Sequence, residues 1–240
     1  MPTIEVFLMF KPTDRNSHTT TDAQQKKTKT IEAGPNWNSI KAELAKNNYT
    51  LVVHGPDAHP SVRDIQDAMN NSEVTLLVGH GSNPNPVPGK WVTDQIVLSD
   101  GTIKSPDGVL TGQWNASGGL DNKAAGGKLT INKVTGIFTC NSTDKLPDAF
   151  DLPPGSNLIT NDGGPDGLTR VGTLELGAAE FVRWYGLTKG DVRRSMSKAQ
   201  FVFTQKGDVW PSDKGDKLSD RVGVKPPPPP PPPRCEVKDW

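Results

Sequence analysis

VTLLVGHGS (residues 74–82) is a run of β-branched and apolar residues that ends in small and polar ones, and VTGIFTCNS (residues 134–142) repeats this pattern further along the chain. The pattern is typical of a buried strand with a reactive side chain at its end. The first strand would deliver His80 and the second Cys140. If both strands belong to one parallel sheet, we expect these side chains to meet at its carboxyl edge, where open α/β folds place their sites.

Composition narrows the class of protein. The chain has 240 residues, enough to bury a core, and its 27 Lys and Arg residues balance 27 Asp and Glu. We therefore expect no nucleic acid partner. The start, MPTIEVFLMFK, lacks the basic region of a signal peptide, and no stretch approaches the ~20 apolar residues of a membrane helix. Cys140 and Cys235 are the only cysteines, which excludes a disulfide framework. The sequence predicts a cytoplasmic protein with free thiols and no membrane contact.

Strand and helix patterns alternate from Tyr49 onward. Besides the two strands quoted above, strands are predicted at residues 49–53 and 156–160, and helices at 36–47, 174–185 and 191–199, with another helix opening at Pro60 and Ser61. This alternation predicts an α/β protein, a three-layer sandwich with a mostly parallel central sheet flanked by helices. Two further predictions are a hairpin joining residues 3–10 to residues 28–33, and a final strand at residues 200–204.

The end of the chain differs from the rest. Residues 226–233 are eight consecutive prolines, which adopt the polyproline II conformation and commonly act as a spacer. We therefore predict one domain over residues 1–224, followed by a spacer and short tail over 225–240. A ligand for a proline-binding module is the alternative. Residues 118–127, GGLDNKAAGG, are predicted to be an exposed loop or, alternatively, a cleavage or lid segment.

A thiol and an imidazole at one sheet edge would suit nucleophilic catalysis. Sulfur attack on an amide needs thiolate character, an imidazole to protonate the leaving group, and donors for the oxyanion. Cys140 and His80 supply the first two, and the backbone amides of Gly81 and Cys140 are candidates for the donors, since no Cβ intrudes at Gly81. Cys140 as a buried structural thiol is the alternative. His54, which also follows an apolar strand, ranks second to His80. No second Cys or His lies close in sequence to His80 or Cys140, so we expect no metal.

The order of the blocks LLVGHGS, QIVLSDG, VTGIFTCNST, LPDAF and NLITNDGG resembles the CHAT-domain branch of the caspase-like (clan CD) cysteine peptidases, over roughly residues 51–203. The resemblance implies a caspase-like sandwich and peptide hydrolysis without a cofactor. It implies that Cys140 is the nucleophile, His80 the acid/base and Gly81 an oxyanion donor. Many relatives act in bacterial signalling or defence and are activated by a partner protein or by processing. Thr139-Cys140-Asn141-Ser142 replaces the caspase Q-A-C-x-G signature, so aspartate specificity is not implied.

Substrate preference is read from the loop predicted after residue 160. In the resembling fold this loop helps to wall the pocket for the residue before the cut, and here it carries Asp162 and Asp166. A carboxylate in such a pocket would pair with Arg or Lys, although both residues could instead cap the turn and the next helix. The substrate expected is thus a protein or peptide with a basic residue before the cut. A catalytically inactive scaffold and an interaction module remain the alternative functions.

Overall fold

The computed structural model describes residues 1–10, 34–55, 62–79, 81–82, 95–96, 129–131, 133–139, 150–162, 171–206 and 217–223. These residues form a six-stranded sheet whose spatial order is β10-β9-β7-β3-β1-β2. Its strands are β1 Thr3–Met9, β2 Thr50–His54, β3 Val74–Gly79, β7 Val134–Phe138, β9 Asn157–Asp162 and β10 Lys217–Val222. All neighbouring pairs are parallel except β9 and β10, which are antiparallel.

Four short strands lie outside this sheet. They are β4 Gly81–Ser82, β5 Gln95–Ile96, β6 Leu129–Thr130 and β8 Phe150–Asp151. β4 pairs with β5 in antiparallel fashion, and β6 pairs with β8 in parallel. The helices of the described residues are α1 Trp37–Lys46, α2 Val62–Asn71, α3 Val171–Leu187 and α4 Val192–Lys206. Asn36 caps α1 as predicted, because its side chain accepts a hydrogen bond from the Ser39 amide at 3.0 Å.

Helices cover both faces of the sheet. On one face Val6, Leu76 and Phe138 belong to a core that includes residues of α1, α3 and α4. On the other face, the alternate strand residues Phe7 and Leu77 are fully buried, and α2 contributes buried Ile65 and Met69. Because successive strand residues point to opposite faces, strands buried on both sides read as continuous apolar runs. The protein is therefore an α/β protein with a mostly parallel central sheet and three layers, as its sequence predicts.

Two peripheral predictions are wrong. Residues 200–204 are part of α4 and not a strand, because buried Ser195 and Ala199 continue the helical spacing. The strand at the end of the described chain is instead β10. The hairpin between residues 3–10 and 28–33 is wrong along Ile4 to Phe7, because β2 and β3 pair with the two sides of β1 there. Residues 28–33, residues 118–127 and the proline run lie outside the described part of the chain.

None of the described helices is both long and apolar enough to cross a membrane.

Candidate functional site

The two strands that precede His80 and Cys140 are neighbours in the sheet. β3 and β7 pair in parallel, with Val78 opposite Phe138. Two residues beyond each member of this pair the sequence has His80 and Cys140, which lie outside the described residues. Gly79 and Thr139 are the last described residues before them. The strand ends on which the prediction depends therefore lie side by side at the carboxyl edge, about 4.8 Å apart by the usual spacing of strands.

Two of the other predicted site residues, Gly81 and Asp162, belong to strands. Gly81 lies in β4, where its backbone pairs with that of Ile96. Asp162 is the last residue of β9 and pairs with Lys217 of β10, so its backbone is part of a strand and not of the predicted loop. The antiparallel partner extends β9 by two residues beyond the predicted end. Asp166 lies outside the described residues.

His54 lies far from the strand of Cys140. It ends β2, the edge strand, and β1 and β3 separate β2 from β7. Three strand spacings amount to about 14 Å. The imidazole is instead held locally: its Nε2 lies 2.9 Å from Glu5 Oε2, and its ring stacks on Phe7 with 4.2 Å between ring centroids. A pocket of about 410 Å³ opens beside it, lined by residues of β1, β2 and α2. His54 is therefore not next to the strand that leads to Cys140.

Fully buried polar residues gather at the carboxyl edge. Thr139 follows β7, Asn161 lies near the end of β9, and both are completely shielded from solvent. The Asn161 side-chain nitrogen Nδ2 donates to the Thr139 carbonyl oxygen at 3.4 Å. Burying polar groups is unfavourable unless they are paired, so a protein retains them where they hold a backbone conformation or serve a site.

A buried carboxylate lies at the same level of the fold. Glu175, in the second turn of α3, has no exposed surface, and its Oε1 accepts a hydrogen bond from the Trp37 indole nitrogen at 3.1 Å. Tyr185, near the other end of α3, donates a hydrogen bond to Glu73, the residue before β3, so that end of the helix lies at the amino edge of the sheet. The ten residues of helix from Tyr185 back to Glu175 span about 15 Å. The five strand residues from Glu73 to Val78 span about the same distance, so Glu175 lies near the carboxyl edge.

Neither Asn161 nor Glu175 is among the residues predicted from the sequence for this edge of the sheet. Asn161 falls in the loop predicted after residue 160, because no local signal shows that a distant strand extends β9. Glu175 carried a usable signal: it falls four residues after Val171 and three before Ala178, within the apolar face of the helix. A single acidic residue in an apolar helical face indicates a buried carboxylate with a partner.

No group of three His, Cys, Asp or Glu residues that could hold a metal ion occurs within the described ranges. His80, Cys140 and Asp166 fall outside that search, so the prediction of a metal-free site stays a prediction.

Comparisons with known proteins identify no family. No protein-family model matches the chain, and no curated protein matches it. Among solved structures, the chain is similar to that of protein GSU0716 from Geobacter sulfurreducens, with 12% sequence identity and a TM-score of 0.39. The likeness covers 95% of this chain and 96% of the other. A likeness at this level assigns no chemistry to the chain.

Proposed function

We propose that the protein is a cysteine endopeptidase in which Cys140 is the nucleophile and His80 the general acid and base. The observation that carries the proposal is the pairing of Val78 with Phe138 in adjacent parallel strands, because it brings together the ends of the two strands that lead to these residues. Thiol and imidazole supply the nucleophile and the proton carrier that amide cleavage needs.

The proposed reaction proceeds in two steps. The Cys140 thiolate attacks the carbonyl carbon of the peptide bond, and the oxyanion that forms accepts hydrogen bonds from the amides of Gly81 and Cys140. The His80 imidazolium gives its proton to the leaving nitrogen as the C–N bond breaks, leaving a thioester. His80 then takes a proton from water, the hydroxyl attacks the thioester, and the acid leaves as the Cys140 thiolate and the His80 imidazolium are restored.

Thiol labelling tests this proposal directly. A peptidyl electrophile with mass mapping should modify Cys140 promptly and Cys235 slowly, so that Cys235 serves as an internal control. His80→Ala should remove the difference. Equal slow labelling of both thiols in the wild-type chain would overturn the peptidase proposal and favour an inactive scaffold or an interaction module.

A basic residue before the cut is the proposed preference, through the carboxylates of Asp162 and Asp166. Asp162 ends β9, the strand next to β7, and this position supports the proposal that its carboxylate contacts the basic residue. Fluorogenic peptides that differ only at that residue test it. Preference for Arg and Lys should fall at least tenfold in Asp162→Asn or Asp166→Asn, and equal turnover of neutral and basic peptides by the wild-type chain would overturn it.

The proposed setting is the cytoplasm of a bacterial cell, in signalling or defence, with a partner protein or processing as the activating event. The cytoplasmic setting follows from the start of the sequence and its two cysteines, and the other features follow only from the resemblance described above. Labelling Cys140 in cell lysate and in the purified chain tests the activation step. Faster labelling in lysate is expected if a partner activates the site, and equal rates would overturn that part.

A further inference from the structure

The side chain of Asn161 bridges the ends of β9 and β7. It is fully buried, and its Nδ2 donates to the carbonyl oxygen of Thr139 at 3.4 Å. The regular β7–β9 register ends with Ile137 opposite Thr160. The Thr139 carbonyl lies beyond the last pair of this ladder, and the Asn161 side chain supplies a donor to it there.

The Thr139 carbonyl shares a peptide unit with the amide of Cys140. A peptide bond is planar and almost always trans, so its C=O and N–H point in opposite directions. A donor that holds the Thr139 oxygen on one side consequently sets the direction of the Cys140 N–H on the other. That amide is one of the two oxyanion donors in the proposed reaction.

We propose that Asn161 is a positioning residue, which aims the Cys140 amide at the oxyanion by holding the Thr139 carbonyl. The catalytic role of Asn161 rests on the proposed peptidase function. Its effect on the direction of the amide depends only on the Asn161–Thr139 hydrogen bond and on peptide planarity. Preorganised donors stabilise developing charge because they need no reorientation during the reaction.

Two thiol reagents separate this role from a structural one. A thiol adds to the carbonyl carbon of a peptidyl aldehyde and forms an oxyanion. In the reaction with iodoacetamide the sulfur displaces iodide from a methylene carbon, and no oxyanion forms. Asn161→Leu, which removes the donor at similar volume, should weaken aldehyde binding and lower kcat by about 10- to 100-fold with little change in KM. The alkylation rate of Cys140 should stay within about twofold, because the thiolate itself is not altered. Equal losses with both reagents, or no loss with either, would overturn the proposal.

Matched variants keep the test independent of folding. Thr135→Val removes a buried hydroxyl from β7 at the opposite end of the strand and should leave both reagents unaffected. Asn161→Ala serves as the second variant should the leucine not be accommodated. If Thr135→Val loses as much aldehyde affinity as the Asn161 variants do, the proposal is also overturned. Any disturbance of the core would then be enough to weaken aldehyde binding.

A spectroscopic readout works whether or not the chain is a peptidase. Because Cys140 and Cys235 are the only cysteines, selective ¹⁵N-cysteine labelling gives two amide signals, which Cys235→Ser assigns. Asn161→Leu should move the Cys140 signal and leave that of Cys235 in place. If the Cys140 signal moves but the wild-type chain neither binds aldehydes nor labels selectively, the peptidase proposal fails and the positioning holds. If the signal does not move, the positioning is wrong.

Discussion

The Tyr185 hydroxyl lies 3.1 Å from a carboxylate oxygen of Glu73, and this hydrogen bond joins the end of α3 to the residue before β3. Glu73 also pairs with Lys133, which precedes β7. One carboxylate therefore links a helix and two neighbouring strands at the amino edge of the sheet. The contact fixes the polarity of α3, whose first turns must then lie at the opposite, carboxyl edge.

The stability of the protein should fall at alkaline pH through Tyr185. Burial, and then the charge of Glu73, raise the pKa of this tyrosine above its ordinary value. The folded state therefore holds the phenolic proton more tightly than the unfolded chain does. The stabilisation is complete below pH about 10 and is lost progressively above it. Urea unfolding between pH 8 and 11 should show this decline, and Tyr185→Phe should remove most of it.

A smaller slope should persist in Tyr185→Phe, because burial also raises the pKa of Tyr49. An unchanged alkaline slope in the Tyr185 variant would contradict the assignment.

Loss of the Trp37 indole nitrogen should destabilise the fold. Trp37→Phe removes the donor to the buried Glu175 carboxylate and is expected to lower the free energy of unfolding by about 1 to 3 kcal/mol. Trp184→Phe is the matched control, since Trp184 is only partly buried and its ring lies against the Lys198 ammonium, at 4.4 Å. A partly exposed contact of this kind is worth about 0.5 to 1 kcal/mol. A loss in Trp37→Phe no larger than that in Trp184→Phe would contradict the prediction.

Gly136 should not tolerate a side chain. An added Cβ would lie 2.5 Å from Cδ2 of Leu76 on the neighbouring strand and 2.8 Å from Cε2 of Phe138 on its own strand. Gly136→Ala is therefore expected to lower the free energy of unfolding by about 1 to 3 kcal/mol through overpacking. Gly55→Ala is the control, because nothing lies within 4 Å of a Cβ there. Chemical denaturation of both variants tests this, and a Gly136→Ala chain as stable as the control would refute it.

The two strand-end histidines should behave differently. His80→Ala is expected to lower kcat by about 10²- to 10⁴-fold, the usual contribution of a general acid and base. His54→Ala should leave kcat within about threefold, since the strand of His54 is separated from that of Cys140 by two others. Its effect should appear in stability, because the pair with Glu5 and the stacking on Phe7 are lost. Turnover measured well below the unfolding temperature distinguishes them, and a similar loss of kcat in both would contradict the proposed dyad.

The central sheet could be predicted because β3 and β7 are buried on both faces, so their sequences are mainly apolar, with Thr75 and Thr135 as the polar residues. β10 could not, because its sequence KLSDRV is mostly polar and is a strand only through pairing with β9. The same pairing makes Asn161 part of a strand, which its polar neighbours do not indicate. Glu175 is buried through packing between α1 and α3, and helical spacing alone does not identify its partner Trp37.

The antiparallel direction of β10 has a practical consequence. Val222 lies opposite Asn157, so the described chain leaves the sheet at Gly223 on the amino edge, the side at which Thr3 enters it. A surface anchor or fusion partner attached after Gly223 would thus start from the side of the sheet opposite the carboxyl edge, where Cys140 and His80 are proposed to act. A protein immobilised in this way should still bind a large folded substrate at the carboxyl edge of its sheet.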